Sequence, residues 1–173
     1  MKSTNMAQTI QTGIRSMLLL LLAGTLACSA ISVRAESSNA EKVKEALTIM
    51  KAEAAKLGEP KAEGSRLFFG TTKMNGDYAI VDALKTRFAC TATFFSKKGT
   101  DYVRISTNVL NEGNRAVGTV LDPMGPAYAA ISKGEAFYGI VGILGKKYEA
   151  GYEPVKNAAG ETIGVYYVGF LLE

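Results

Sequence analysis

The chain of 173 residues contains no histidine. That removes the commonest general base and the commonest metal ligand together, so histidine triads, zinc sites and histidine-dependent hydrolases are excluded. Cysteine is nearly absent too: only Cys28 and Cys90 occur, and cleavage of the leader expected around Cys28 would leave one thiol, which can make no internal disulfide. Cys90 sits in the apolar run Phe88-Ala89-Cys90-Thr91-Ala92, where a small buried hydrophobe is the ordinary reading of a free cysteine. No glycine-rich phosphate loop opens a helix, which leaves nucleotide binding without support. Paired-carboxylate motifs, internal repeats, linkers and low-complexity tracts are missing as well. No catalytic residue, metal or cofactor is expected.

Acidic residues are absent from one end. Residues 1–35 hold Lys2, Arg15 and Arg34 and no acid. The chain's net charge is +4; taking those three from its 20 basic residues leaves 17 against 16 acidic ones, a charge of +1. The basic excess therefore belongs to a leader segment, and nucleic acid is not an expected partner. Lys2 and Arg15 form a positive region, Ser16 to Ala27 (SMLLLLLAGTLA) an apolar one, and small residues follow. An apolar run of about a dozen residues, well short of the twenty or so that span a bilayer, predicts a secretory signal peptide over 1–35 and a periplasmic or secreted product. Val33-Arg34-Ala35 ahead of Glu36 offers a cleavage site, and Cys28-Ser29-Ala30 an earlier one. Two alternatives stay open: acylation at Cys28, and an uncleaved inner-membrane anchor.

Residues 36–173 read as one domain. Ser38 with Glu41 three residues later fits a capping box, and Gly58 with Pro60 marks a stop, so Ser37–Leu57 is expected to be a helix. Val43, Ala46, Leu47, Met50, Ala54 and Leu57 form one apolar stripe that must cover a sheet. Strands are expected at 67–69, 89–95, 101–107, 136–144, 148–155 and 162–171, with a short helix near 78–88. The second and third of these strands are joined through Lys97-Lys98-Gly99-Thr100 as a hairpin. Asp122 before Pro123 predicts a second short helix capped at Asp122 and running to Lys133-Gly134. Three consecutive strands at the carboxyl end should be antiparallel neighbours. Gly139, Gly142, Gly145, Gly164 and Gly169 within or beside strands suggest bulges or close backbone approach. The pattern is α+β, one central sheet with helices on its faces.

Several pieces then occur in a characteristic order. They are Ala92-Thr93-Phe94-Phe95, Tyr102-Val103-Arg104-Ile105-Ser106-Thr107-Asn108-Val109, Asn114-Arg115-Ala116-Val117-Gly118-Thr119 and Pro126-Ala127-Tyr128. Gly134-Glu135-Ala136-Phe137-Tyr138-Gly139, Gly145-Lys146-Lys147-Tyr148, Tyr152-Glu153-Pro154 and the glycines 160, 164 and 169 complete the set. Over Thr91–Gly169 the chain resembles the Cache 3/Cache 2 fusion family of single-Cache sensor domains. The resemblance implies a PAS-like antiparallel sheet with a long amino-terminal helix on one face and a ligand pocket on the other. It further implies a signal-transduction or chemotaxis role, a small organic acid as ligand, and a membrane receptor or kinase as partner. Relatives often carry glycines where this chain has Arg87-Phe88-Ala89-Cys90, a change that would reshape one pocket wall.

Strand alternation places Tyr102, Arg104 and Ser106 on one face and Val103 and Ile105 on the other. With the aliphatic pair toward the core, Arg104 faces the pocket, where its guanidinium suits a carboxylate. The alternative is a structural arginine paired with Asp101 or Glu153. Thr93 adds a hydroxyl. Among the later tyrosines, Tyr138 and Tyr148, with Lys147 beside the latter, are expected to line the pocket because tyrosine combines flat apolar area with a polar tip. A second functional reading also stays open: a non-catalytic interaction protein on the same fold, its pocket collapsed and its amino-terminal helix used for homodimerisation.

Overall fold

The computed structural model describes residues 38–172; the leader, Cys28 and the cleavage sites lie outside the described residues. In chain order the elements are α1 (Asn39–Lys56), β1 (Pro60–Glu63), β2 (Arg66–Phe69), β3 (Thr72–Lys73), α2 (Ala79–Phe88), β4 (Thr91–Lys98) and β5 (Asp101–Thr107). Then follow β6 (Leu110–Asn111), β7 (Asn114–Arg115), α3 (Pro126–Ile131), β8 (Phe137–Ile143), β9 (Lys146–Lys156) and β10 (Thr162–Leu171).

A capping box starts α1. The Ser38 hydroxyl accepts from the Glu41 N–H at 3.3 Å, and the Glu41 carboxylate accepts from the Ser38 N–H at 3.0 Å. The expected stripe is buried at Val43, Ala46, Leu47, Met50 and Ala54. It lies across β9 and β10. Gly151 on β9 is what admits the helix so closely: a Cβ there would stand 2.6 Å from Leu47 Cδ1 and 2.7 Å from Val43 Cγ1.

The main sheet is antiparallel throughout, in the order β5-β4-β10-β9-β8. A smaller sheet, β1-β2-β3, and α2 complete the layer on the α1 side. The sheet separates two cores. On the α1 side Leu47, Met50, Phe69, Phe94 and Tyr166 pack together. On the other side Phe95, Tyr102, Tyr152, Val165 and Tyr167 pack beneath α3. This is the α+β, PAS-like arrangement that the resemblance implies.

Two expectations need correction. The second short helix does not begin at Pro123. Asp122 instead closes a turn, its Oδ1 accepting from the Met124 N–H at 3.0 Å and its carbonyl from the Gly125 N–H at 3.0 Å. The helix starts at Pro126, because the residue before a proline is driven out of the helical region, and Gly125 is extended at φ −81°, ψ 155°. The strand glycines also differ among themselves. Gly164 sits at a β10–β9 register shift with a would-be Cβ 2.5 Å from the Phe95 carbonyl oxygen, whereas Gly142 faces open space.

Candidate functional site

The face of the sheet away from α1 carries the candidate site, and the loop after β7 builds its rim. Residues 117–121 run beside β5 as a loop that meets it in one isolated bridge, Val103–Val120. The Arg104 N–H donates to the Thr119 carbonyl at 2.9 Å, Gly118 N–H to the Arg104 carbonyl at 2.8 Å, and Leu121 N–H to the Tyr102 carbonyl at 2.9 Å. This pairing covers one sheet edge and sets the Thr119 hydroxyl beside the Arg104 side chain.

Arg104 is 5% exposed. Its Nη1 donates to Thr119 Oγ1 at 2.6 Å, and its guanidinium lies 5.0 Å from the Phe95 ring centre. Its Nε has no partner. Among the described residues no carboxylate lies within salt-bridge distance of it. Both acids that a structural arginine would use are placed elsewhere. Glu153 accepts from Lys51 Nζ at 2.6 Å and from the Tyr138 hydroxyl on the α1 side, and Asp101 stays exposed at the β4–β5 turn. Burial lowers the Arg104 pKa, while Tyr167, Tyr152 and Tyr148 pull it back up. A buried cation without a counter-ion is costly, by several kcal/mol before compensation.

Arg104 opens into a cavity of about 360 Å³. Thr119 and Tyr152 share its polar part, Leu121, Ala127 and Ile143 supply apolar wall, and Asp122 stands at the α3 end. Burial raises the Tyr152 pKa, an effect that the Arg104 charge reduces. Tyr152 thus stays a neutral hydroxyl beside a cation. One positive fork, the Tyr152 hydroxyl and apolar walls make a receptacle for a small anion with a short apolar body; the Thr119 hydroxyl is spent, donating to the Ala116 carbonyl at 2.8 Å while it holds the guanidinium. Nothing in this set offers a nucleophile with a base; among the described residues there is also no cluster of ligating side chains able to hold a metal.

The expected site residues are divided by the sheet. Arg104, Tyr102, Thr93 and Tyr148 lie on the cavity face, but only Arg104 among them lines the cavity. Tyr102 is 2% exposed and packs edge-on against Tyr128 at 5.8 Å. The Thr93 hydroxyl is taken by Thr107 Oγ1 at 2.7 Å. Tyr148 borders a neighbouring cavity of about 270 Å³ with Cys90 and Thr91.

Ser106, Tyr138 and Lys147 stand on the α1 face. For Ser106 the cause is a bulge: Phe94 pairs with Ser106 but Phe95 pairs with Arg104, so Ile105 is the extra residue and alternation slips by one. The Ser106 hydroxyl then donates to the Asp77 carbonyl. Tyr138 pairs with Gly151, whose open side faces α1. Lys147 precedes Tyr148 by one residue, so the pleat turns it to the opposite face, and it is exposed. Sequence reasoning missed Thr119 and Tyr152. Counting by twos from Tyr148 would have found Tyr152; Thr119 lies in a loop with no periodic signal.

The structure is a PAS-like sheet with one face under a long helix and the other around a small cavity. The family model of the Cache 3/Cache 2 fusion domain matches residues 8–173. The chain belongs to that family, whose domains are sensory, extracytoplasmic and non-catalytic. No helix among the described residues is long and apolar enough to cross a membrane. Comparison with curated proteins finds none that matches the chain.

Proposed function

We propose that this protein is a periplasmic or secreted sensor module that binds a small carboxylate at Arg104. Its bound state would be read by a membrane receptor or kinase in signal transduction or chemotaxis. The observation carrying this reading is the Arg104 side chain: buried, bordering a cavity, with no acidic partner among the described residues and an Nε that finds no acceptor. A carboxylate supplies what is missing, a counter-charge and a second acceptor for the guanidinium fork. Val120, Leu121, Ala127 and Ile143 favour a ligand with a short hydrocarbon body over a polyanion.

A route from ligand to partner follows from the loop. Residues 117–121 are tied to β5 through the Arg104 backbone and to the guanidinium through Thr119. An anion on that guanidinium tightens the loop, and a partner touching the loop's exposed Val117 and Val120 would read the change. The leader over 1–35 accounts for export. Homodimerisation through α1 finds less support, since its apolar stripe is spent on the sheet.

The test is a thermal-shift screen of the purified protein against acetate, propionate, benzoate and their neutral amides. Ligand at about a hundredfold excess over Kd stabilises by about 2.7 kcal/mol, which raises Tm by roughly 5 to 11 °C for a chain of this size. A carboxylate-selective, dose-dependent rise supports the reading. Equal response to acids and amides, or no response from a folded sample, contradicts it.

A further inference from the structure

The main sheet has two edges, and the fold treats them differently. Edge β5 is covered by residues 117–121, through the three backbone bonds described above and the Val103–Val120 bridge. Edge β8 has no such cover. Among the described residues, no backbone hydrogen bond outside the strand pair with β9 involves 137–143.

Proteins usually protect a bare edge with a charge, a proline, a bulge or a very short strand. β8 has none of these: Phe137-Tyr138-Gly139-Ile140-Val141-Gly142-Ile143 runs for seven residues in unbroken register with β9. Ile140 is 61% exposed and Tyr138 41% exposed, because α1 packs mainly on β9 and β10 and reaches this strand at its first half, where Lys44 lies 5.7 Å from the Tyr138 ring centre. The outer surface of α1 is polar by contrast, with Lys44, Glu45, Thr48 and Lys51 exposed. The unprotected apolar surface therefore lies on the sheet edge.

We infer that β8, whose residues Ile140 to Ile143 also border the Arg104 cavity, is a self-association edge, on which a second copy of the chain adds its own β8 antiparallel and joins two sheets into one. The occupant is identified by the strand's own sequence, which is complementary to itself about Ile140. Two-fold pairing centred there sets Tyr138 against the partner's Gly142, Phe137 against the partner's Ile143, and Gly139 against the partner's Val141. Ile140 then meets the partner's Ile140. The tyrosine meets a glycine, and the position of a Cβ on Gly142 is open space, so the ring has room. A strand with no charge of either sign does not repel its copy, and cross-strand aromatic and aliphatic pairs of this kind stabilise sheets.

Sedimentation velocity on the purified protein, from about 1 to about 100 μM, brackets the affinities of weak and moderate dimers. The expected result is a reversible dimer that both Ile140→Lys and Gly142→Lys weaken at least about tenfold. Neither position is buried, so far-UV circular dichroism and Tm should match the parent and exclude misfolding. Ile140→Cys should form a cross-linked dimer on mild oxidation, mapped by peptide mass to position 140. A wild-type protein that stays monomeric throughout overturns the inference. So does a dimer that either lysine variant leaves intact, which would place the interface elsewhere, on the polar face of α1 or on the 117–121 loop.

Discussion

Replacing Arg104 with methionine should stabilise the ligand-free protein, although Arg104 is one of its most buried polar residues. In most proteins truncating a buried arginine is damaging because a counter-ion is left behind; here no carboxylate stands within reach among the described residues. Methionine fills similar volume, keeps contact with Phe95 and removes the desolvated charge. The variant loses the Nη1–Thr119 hydrogen bond at 2.6 Å, worth about 1.5 to 3 kcal/mol for a charged donor. It also gives up the cation–π attraction within its contact with the Phe95 ring, worth about 0.5 to 2 kcal/mol. Against this stands relief of a desolvation penalty of several kcal/mol, and apolar replacement of buried ions typically nets about 0 to 4 kcal/mol of stabilisation. Urea unfolding in carboxylate-free buffer should therefore give a midpoint at or above wild type with unchanged m-value. Adding the best carboxylate should raise the wild-type midpoint and leave Arg104→Met unmoved. A loss of more than about 2 kcal/mol in carboxylate-free buffer, in the range for removing a partner from a buried pair, would refute the reasoning and make Arg104 a structural residue.

Three further outcomes follow from the geometry. Tyr152→Phe should weaken carboxylate binding about 2- to 13-fold, the worth of one hydrogen bond, and Thr119→Val should weaken it by a similar factor because it frees the guanidinium that Thr119 holds in place; Tyr138→Phe and Lys147→Ala, on the opposite face, should leave it unchanged in calorimetric titration. Burial pushes the Cys90 thiol up to about 11; because the folded value is raised, its stabilising effect is complete below about pH 8.5 and is lost as pH rises toward 11. Unfolding midpoints between pH 8 and 11 should fall less steeply in Cys90→Ala, and at pH 8 peptide-resolved alkylation should leave Cys90 largely unmodified. Gly151→Ala should cost about 1 to 3 kcal/mol by forcing Val43 and Leu47 of α1 off the sheet, measured by urea unfolding with the ligand pocket response retained.

Much of the fold was legible in the sequence because local rules and tertiary demands agree. The Ser38–Glu41 capping box, the stripe from Val43 to Ala54 and the glycine-bearing turn between β4 and β5 each specify one local structure, and the sheet uses all of them. The start of α3 was misread because Asp122-Pro123 and Gly125-Pro126 both carry a start signal. Only packing of Ala127 and Ile131 into the core decides between them. Arg104 was legible because simple alternation holds from Tyr102 to Arg104. Ser106 was not, since the bulge at Ile105 depends on the register that β4 imposes. Tyr138 was misplaced for a related reason: a tyrosine on an edge strand suits either face, and only the pairing with Gly151 fixes which. Thr119 reaches the site through a loop that pairs with β5 in space, which no periodicity announces.

The most direct test of the account reads the Arg104 Nε–H itself. In an ¹⁵N-labelled protein, titration with propionate should move one arginine Nε–H resonance, absent in Arg104→Met, along a saturable curve shared by the backbone amides of Thr119 and Leu121. Propionamide should not reproduce it. An Arg104 resonance that no small carboxylate shifts, in a protein whose other resonances show an intact fold, would contradict the claim that this side chain anchors a ligand.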